Sequence, residues 1–297
     1  MLYREITCKS AVHKLKGTLP FDWDLNLYRG CAHGCAYCYA LYSHQYIGDD
    51  DFFNTVYVKT NIVEQLEREL KSPRWNRDVI NIGGVTDSYQ PAEATYKLMP
   101  EVLKLLIKYR TPAIISTKST LLLRDYDLIN ELSRITYVNI AATITTTDEV
   151  LQKKIEPMAA HSMSRFAMLR EIRKTNASVG LHIMPIIPYL TDSKENLYSL
   201  FSHAKECDVH YALPGALYLR GRTRGNFFNF IRRQFPELYA PLVSLYQGGC
   251  DWKNYKQALY AMINELRNEL SISGSYGAVM KAKLPPPQKE HRQLTLF

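Results

Sequence analysis

Three cysteines fall within eight residues in Gly30-Cys31-Ala32-His33-Gly34-Cys35-Ala36-Tyr37-Cys38-Tyr39, and no other stretch of this chain is so equipped for chemistry. The CxxxCxxC spacing, with two glycines that let a short loop wrap closely, suits thiolates closing on a metal centre. Three such ligands on a four-iron four-sulfur (4Fe-4S) cube leave one iron without a protein ligand. An open coordination position is what a metal site needs in order to act on a bound molecule. Cys31, Cys35 and Cys38 are therefore the expected cluster ligands. A zinc site of three cysteines and one histidine, completed by His33 or His44, is the alternative. Cys8, Cys207 and Cys250 stand singly. With no apolar leader at the start, the expected compartment is the cytoplasm, where cysteines serve as ligands or buried thiols rather than as disulfides.

The elements that must hold this loop alternate between short apolar runs and longer segments of helical period. Strands are expected at 25–30, 79–84, 113–117, 136–143, 178–187 and 210–219, with helices at 61–71, 93–109, 122–134, 161–175 and 193–206. Residues 55–60 read either as an extra strand or as the lead-in to a helix. Six β/α units predict an α/β fold, a partial (β/α)6 TIM-type barrel over 25–220. An N-terminal extension (1–24) precedes it, and a C-terminal helical extension (221–280) and a flexible tail (281–297) follow. The cysteine loop comes directly after the first strand, at the barrel end where active sites sit.

The chain has 297 residues, 46% hydrophobic and 22% charged, which excludes a disordered or fibrous polymer. No apolar run approaches the roughly 18 residues of a membrane span. The 37 Lys and Arg outnumber the 29 Asp and Glu, a net charge of +8 that tilts toward an anionic partner such as nucleic acid.

Later strand ends carry further candidates. In Asn81-Ile82-Gly83-Gly84-Val85-Thr86-Asp87 the paired glycines either let backbone approach a ligand or simply make a tight turn. Ser116-Thr117-Lys118-Ser119 places a cation and hydroxyls at the barrel mouth, suited to a carboxylate and a ribose. Thr143 and Thr145 end the fourth strand, and Glu156 with Arg165 reads as an ion pair. Pro185 and Pro188 must interrupt the fifth strand's ladder and leave an apolar edge.

The cysteine loop resembles the signature of the radical S-adenosylmethionine (SAM) superfamily. That resemblance implies a 4Fe-4S cluster whose open iron is chelated by SAM, and one-electron cleavage of SAM to a 5'-deoxyadenosyl radical that takes a hydrogen atom from substrate. It further implies Tyr37 near the adenine. Gly83 and Gly84 take the place of the family's GGE motif, with Val85 where its acid stands and Asp87 as substitute. Lys118 with Ser116 is expected at the SAM carboxylate and ribose, and Thr145 and Arg220 as further contacts. Together NLYRGCAHGCAYCYA, VTDSYQPAE, STKSTLLLRD, KIEPMA and IMPIIPYLTD resemble the branch related to spore photoproduct lyase, described as DNA repair photolyase-like. Lyases of that branch return a hydrogen from a cysteine near the second-strand motif. Here Val85 stands at that position and no cysteine lies between Cys38 and Cys207, so Tyr39 or Cys250 is the expected donor.

DNA is accordingly the expected substrate, and flavodoxin or ferredoxin the kind of electron donor. A radical enzyme acting on a peptide or small molecule is one alternative, and a zinc-bearing nucleic-acid-binding module without catalysis is another. The stretch RGRTRGNFFNFIRRQF (220–235) has five arginines, four phenylalanines and no acid. It reads as a phosphate-and-base surface or as a closing helix with its rings turned inward. Gln293, Leu294, Leu296 and Phe297 resemble the peptide by which bacterial proteins dock on the DNA sliding clamp, with Pro285 to Pro287 as tether; a back-folded tail is the alternative.

Overall fold

The computed structural model describes residues 1–15, 21–49, 51–275 and 277–284. The expected clamp peptide and its proline tether lie outside them. The chain begins with β1 (Leu2–Ile6), β2 (Val12–Lys14), β3 (Trp23–Leu25), β4 (Tyr28–Arg29) and β5 (Thr55–Lys59). Next come α1 (Ile62–Leu70), β6 (Ile80–Ile82), α2 (Pro91–Tyr96), α3 (Leu98–Tyr109), β7 (Ala113–Thr117), α4 (Tyr126–Ile135) and β8 (Val138–Thr143). They are followed by α5 (Glu149–Ile155), α6 (Ser162–Ile172), β9 (Ser178–Ile186), α7 (Lys194–Glu206) and β10 (Tyr211–Ala216). Four helices follow: α8 (Gly221–Gln234), α9 (Tyr239–Tyr246), α10 (Cys250–Leu270) and α11 (Gly277–Lys283).

Six strands pair in parallel in the order β10-β9-β8-β7-β6-β3, and β2 adds antiparallel beyond β3. Helices cover the outer face, so the strands are buried on both sides and read as continuous apolar runs; all six residues of β8 are buried. The order does not close on itself, which makes the fold the partial (β/α)6 barrel expected. Amphipathic spacing explains the covering helices: α1 buries Ile62, Leu66 and Leu70 at four-residue intervals, and α10 buries Leu259, Ile263, Leu266 and Leu270 and lies along α7. The β10 edge is partly covered. Ala212 N donates to Ser273 O at 2.9 Å, and Arg267 donates to Ala212 O at 2.8 Å. At Gly180 an added Cβ would lie 2.0 Å from the Tyr211 ring, which crosses β9 there and donates to Asn139.

Three expectations change, and one open reading is decided. The first barrel strand is β3 alone, because the chain leaves the sheet after Leu25 and β4 pairs instead with β5. Residues 55–60 resolve as a strand, β5, at the centre of a second sheet ordered β1-β5-β4. The helix expected at 93–109 is broken at Lys97 (φ +49°), where both Glu93 carboxylate oxygens turn back to accept from the Leu98 and Met99 amides at 3.1 and 3.0 Å. Helix α11 extends to Lys283, three residues into the segment 281–297 expected to be a flexible tail. In α8, Phe227, Phe228 and Ile231 face inward, so the closing-helix reading of 220–235 holds for these rings. Among the described residues no helix is long and apolar enough to cross a membrane.

Candidate active site

The cysteine loop leaves β4 through Gly30 at φ +87°, where a Cβ would lie 2.5 Å from Thr55 O, so only glycine fits. The loop is then tied down from four directions. Thr86 Oγ1 and Gln90 Nε2 donate to Gly30 O at 2.6 and 3.1 Å, and Gln90 Oε1 accepts from Ala32 N at 3.0 Å. Ala36 N donates to Ile155 O at 2.9 Å, at the end of α5. From α8, Thr223 Oγ1 donates to Cys38 O and Asn226 Nδ2 to Ala36 O, both at 2.9 Å. His33 supplies the fourth tie, with Nε2 2.9 Å from Asp87 and Nδ1 3.2 Å from Met158 O.

Asp87 is the junction of this scaffold. Besides His33, its carboxylate accepts from Thr117 Oγ1 at 2.8 Å, Lys118 N at 2.8 Å and Tyr89 N at 2.9 Å. Burial alone would raise its pKa, but His33 and these amide donors hold it down at about 2. Asp87 is thus committed to joining the cysteine loop to the end of β7, which differs from its expected part as a SAM ligand.

Burial pushes all three thiols up: Cys31, with Asp87 adding to the effect, to about 12, Cys35 well above its ordinary value, and Cys38 upward. Lys118 acts in the opposite direction on Cys35 and Cys38. Burial pulls Lys118 itself down, yet Cys35, Glu156 and Asp87 more than offset this and raise it. A thiol set so desolvated is protonated unless a metal takes the sulfurs, and the facing cation favours an anionic cluster or ligand carboxylate. Both nitrogens of His33 are engaged, so it offers no lone pair as a fourth ligand, while His44 lies against the Phe52 and Tyr57 rings. Among the described residues no three His, Cys, Asp or Glu side chains gather closely enough for a single metal ion. The donor set therefore fits the three-thiolate cube rather than the zinc alternative.

Tyr37 points down from the loop. Its ring is buried, its hydroxyl donates to Glu156, and the Lys118 ammonium stands 5.7 Å from its centroid. Glu156 in turn pairs with Arg165 at 2.6 Å, both fully buried, and Arg165 also donates to Thr143 O. Thr145 Oγ1 lies at the edge of this group, 3.5 Å from Glu156. Tyr39 is exposed and its hydroxyl donates to Gly84 O. Gly83 has φ +90°, and the space of a Gly84 Cβ is filled by the Asp24 carboxylate at 2.5 Å, so these glycines serve the turn's own packing. Ser116 is half-buried on β7, and Arg220 is exposed just before α8. The fold thus gathers Tyr37, Tyr39, Gly83, Gly84, Asp87, Lys118 and Thr145 around the cysteine loop, whereas Cys250 is exposed at the start of α10.

Sequence reading missed Gln90, Thr223 and Asn226, whose partners lie far along the chain and leave no local signal, and it did not foresee that the Thr117 hydroxyl donates to Asp87. It also missed His182 on β9. Burial and Lys118 lower that imidazole to about 4, so it stands neutral in the barrel interior.

The Radical SAM superfamily model matches residues 25–201. An uncharacterised protein of Mycobacterium tuberculosis is 34% identical over 305 residues, 99% of this chain and 88% of its own. One of Methanocaldococcus jannaschii is 28% identical, over 78% of this chain and 86% of its own. Among solved structures, a spore photoproduct lyase variant superposes with a TM-score of 0.63 at 10% identity, over 90% of this chain and 79% of that one. A spore photoproduct lyase complexed with dinucleoside spore photoproduct gives 0.58 at 12% identity, and the match covers 79% of this chain and 66% of that one.

Proposed function

The chain belongs to the radical SAM superfamily, and from that premise we propose that it cleaves SAM reductively at a 4Fe-4S cluster and acts on DNA, as a repair enzyme related to the lyases. One observation carries the reading: three clustered thiols, Cys35 buried and Cys31 and Cys38 half-buried, at the C-terminal end of a parallel sheet, with the Lys118 ammonium acting on Cys35 and Cys38. When bound, the cluster and SAM together supply a 5'-deoxyadenosyl radical that removes a hydrogen atom from substrate. Cys31, Cys35 and Cys38 hold the cluster. Lys118 and Ser116 receive the SAM carboxylate and ribose, with Gly83, Gly84, Tyr37 and Thr145 lining the same mouth. Asp87 positions the Lys118 backbone and His33 rather than meeting the ligand. Tyr39, whose hydroxyl already reaches the Gly84 turn, is placed better than Cys250 to return a hydrogen.

Two observations support DNA as substrate: the net charge of +8, and the exposed arginines of the 220–235 segment, Arg220, Arg222, Arg232 and Arg233. Likeness to a lyase that binds a dinucleoside photoproduct agrees with them in fold. A soluble donor such as flavodoxin or ferredoxin would supply the electron, and the residues 293–297 would recruit the sliding clamp.

Anaerobic reconstitution tests the reading. A brown protein that makes 5'-deoxyadenosine with dithionite is expected, and Cys35→Ala abolishes both colour and product. Deuterium passing from labelled DNA lesions into 5'-deoxyadenosine would establish the substrate. A colourless protein holding one zinc would overturn the enzyme reading. Transfer from a peptide or small molecule alone would overturn DNA.

A further inference from the structure

Beside the cysteine loop the structure has a cavity of about 340 Å³, bounded by β2, β4, β5, the turn after β6 and the nine-residue 3-10 helical segment Tyr39–Ile47. Its lining combines two kinds of chemistry. Arg29, Lys59 and His13 are basic, and no carboxylate lines it among the described residues. Tyr42 and Tyr46 stand edge to face at 6.4 Å, with Tyr46 77% exposed at the rim. Ser43 is only 5% exposed, lines the same cavity, and its Oγ has no hydrogen-bond partner. A buried hydroxyl without a partner is unfavourable unless something completes it. Lys59 is likewise buried, with Asn26 O at 2.7 Å.

We propose that this cavity is a nucleotide subsite: Arg29, Lys59 and Ser43 take a phosphate, and Tyr42 and Tyr46 take the attached base. An inorganic anion would leave the two tyrosine rings unexplained, and a neutral aromatic would leave the buried ammonium and the guanidinium unexplained. A phosphorylated nucleoside uses both, and a cavity of this size suits one such unit. Val85 makes the location meaningful. It lines the cavity and also packs with Ala40, Leu41 and Phe52 against Cys31 and Cys38. A nucleotide held here lies one side chain from the cysteine loop. That this nucleotide belongs to a substrate strand rests on the nucleic-acid reading above; the pocket's ligand class does not.

Calorimetric titration of the reconstituted full chain with thymidine 5'-monophosphate, thymidine, inorganic phosphate and a short oligothymidylate tests the proposal. The monophosphate is expected to bind at least about tenfold more tightly than thymidine or phosphate. Arg29→Gln is expected to weaken it about tenfold, and the rim variant Tyr46→Ala about fivefold, each with an unchanged melting temperature. Tighter binding of the oligothymidylate identifies a strand as occupant; equal binding identifies a free nucleotide. Phosphate binding as tightly as the monophosphate, or both variants binding like the parent, would overturn the subsite. Failure to form 5'-deoxyadenosine with nucleotide binding intact would instead overturn the proposed activity.

Discussion

Replacing Arg165 with Met should strip a charge from the deepest ion pair in the molecule. Arg165 and Glu156 are both fully buried, 2.6 Å apart, and they join α6 to the end of α5 beneath Tyr37 of the cysteine loop. In Arg165→Met the Glu156 carboxylate stays in place with its countercharge gone. Breaking a buried pair from one side costs about 3–5 kcal/mol, a change in the folded-to-unfolded ratio of roughly a hundredfold at the lower end and several thousandfold at the upper. For a chain of this size that corresponds to a melting temperature lower by roughly 5–8 °C. The double variant Glu156→Gln/Arg165→Met removes both charges and should recover a good part of the loss. The pH dependence has a definite sign. Burial would raise Glu156, but Arg165, Lys118 and Tyr37 hold it below its ordinary value. In the parent it therefore contributes stability above its unfolded pKa, lost as pH falls through its depressed folded value. In Arg165→Met the folded value rises, so the deficit relative to the parent should shrink on acidification from neutral pH, as Glu156 takes up a proton. Thermal and urea melts of the cluster-free protein across pH read all three effects. A deficit below about 1 kcal/mol, strict additivity in the double variant, or a deficit that grows on acidification would refute the reasoning.

Three other outcomes are expected. Gly180→Ala places a methyl group 2.0 Å from the Tyr211 ring and should lower stability by at least about 1–3 kcal/mol in a thermal melt. His182, lowered to about 4 in the folded state, binds fewer protons than the unfolded chain between that value and 6.5; stability should climb with pH across that window, and His182→Asn should flatten the climb in pH-resolved melts. Lys118→Met should leave iron content near the parent's in colorimetric assay while weakening SAM about tenfold or more in equilibrium dialysis.

The barrel strands and the three-cysteine loop were legible because each is a local pattern: an apolar run of strand length, or a fixed spacing of one residue type. The second sheet was not. Its β1 sets Arg4 and Glu5 side by side, both exposed, and what makes it a strand is register with β5 more than fifty positions away. The part Asp87 plays was hidden for a similar reason. A carboxylate after two glycines at a strand end suits a ligand contact, and only the fold brings His33, Thr117 and the Lys118 amide onto its oxygens. The mixture of arginines and phenylalanines in 220–235 left two readings open because composition carries no phase. Helical geometry sets Phe227, Phe228 and Ile231 on the inner side, with the Arg224 guanidinium 5.2 Å from the Phe228 ring.

The sheet that ends at β2 and β10 has a consequence for the shape of what it can process. A sealed ring of strands admits only what can be inserted from the top, so a polymer must present a terminus or a flipped-out unit. Here β2 and β10 do not pair, so hydrogen bonding between strands does not seal this scaffold's circumference, and whatever narrows the opening between those two edges is side chain and loop rather than ladder.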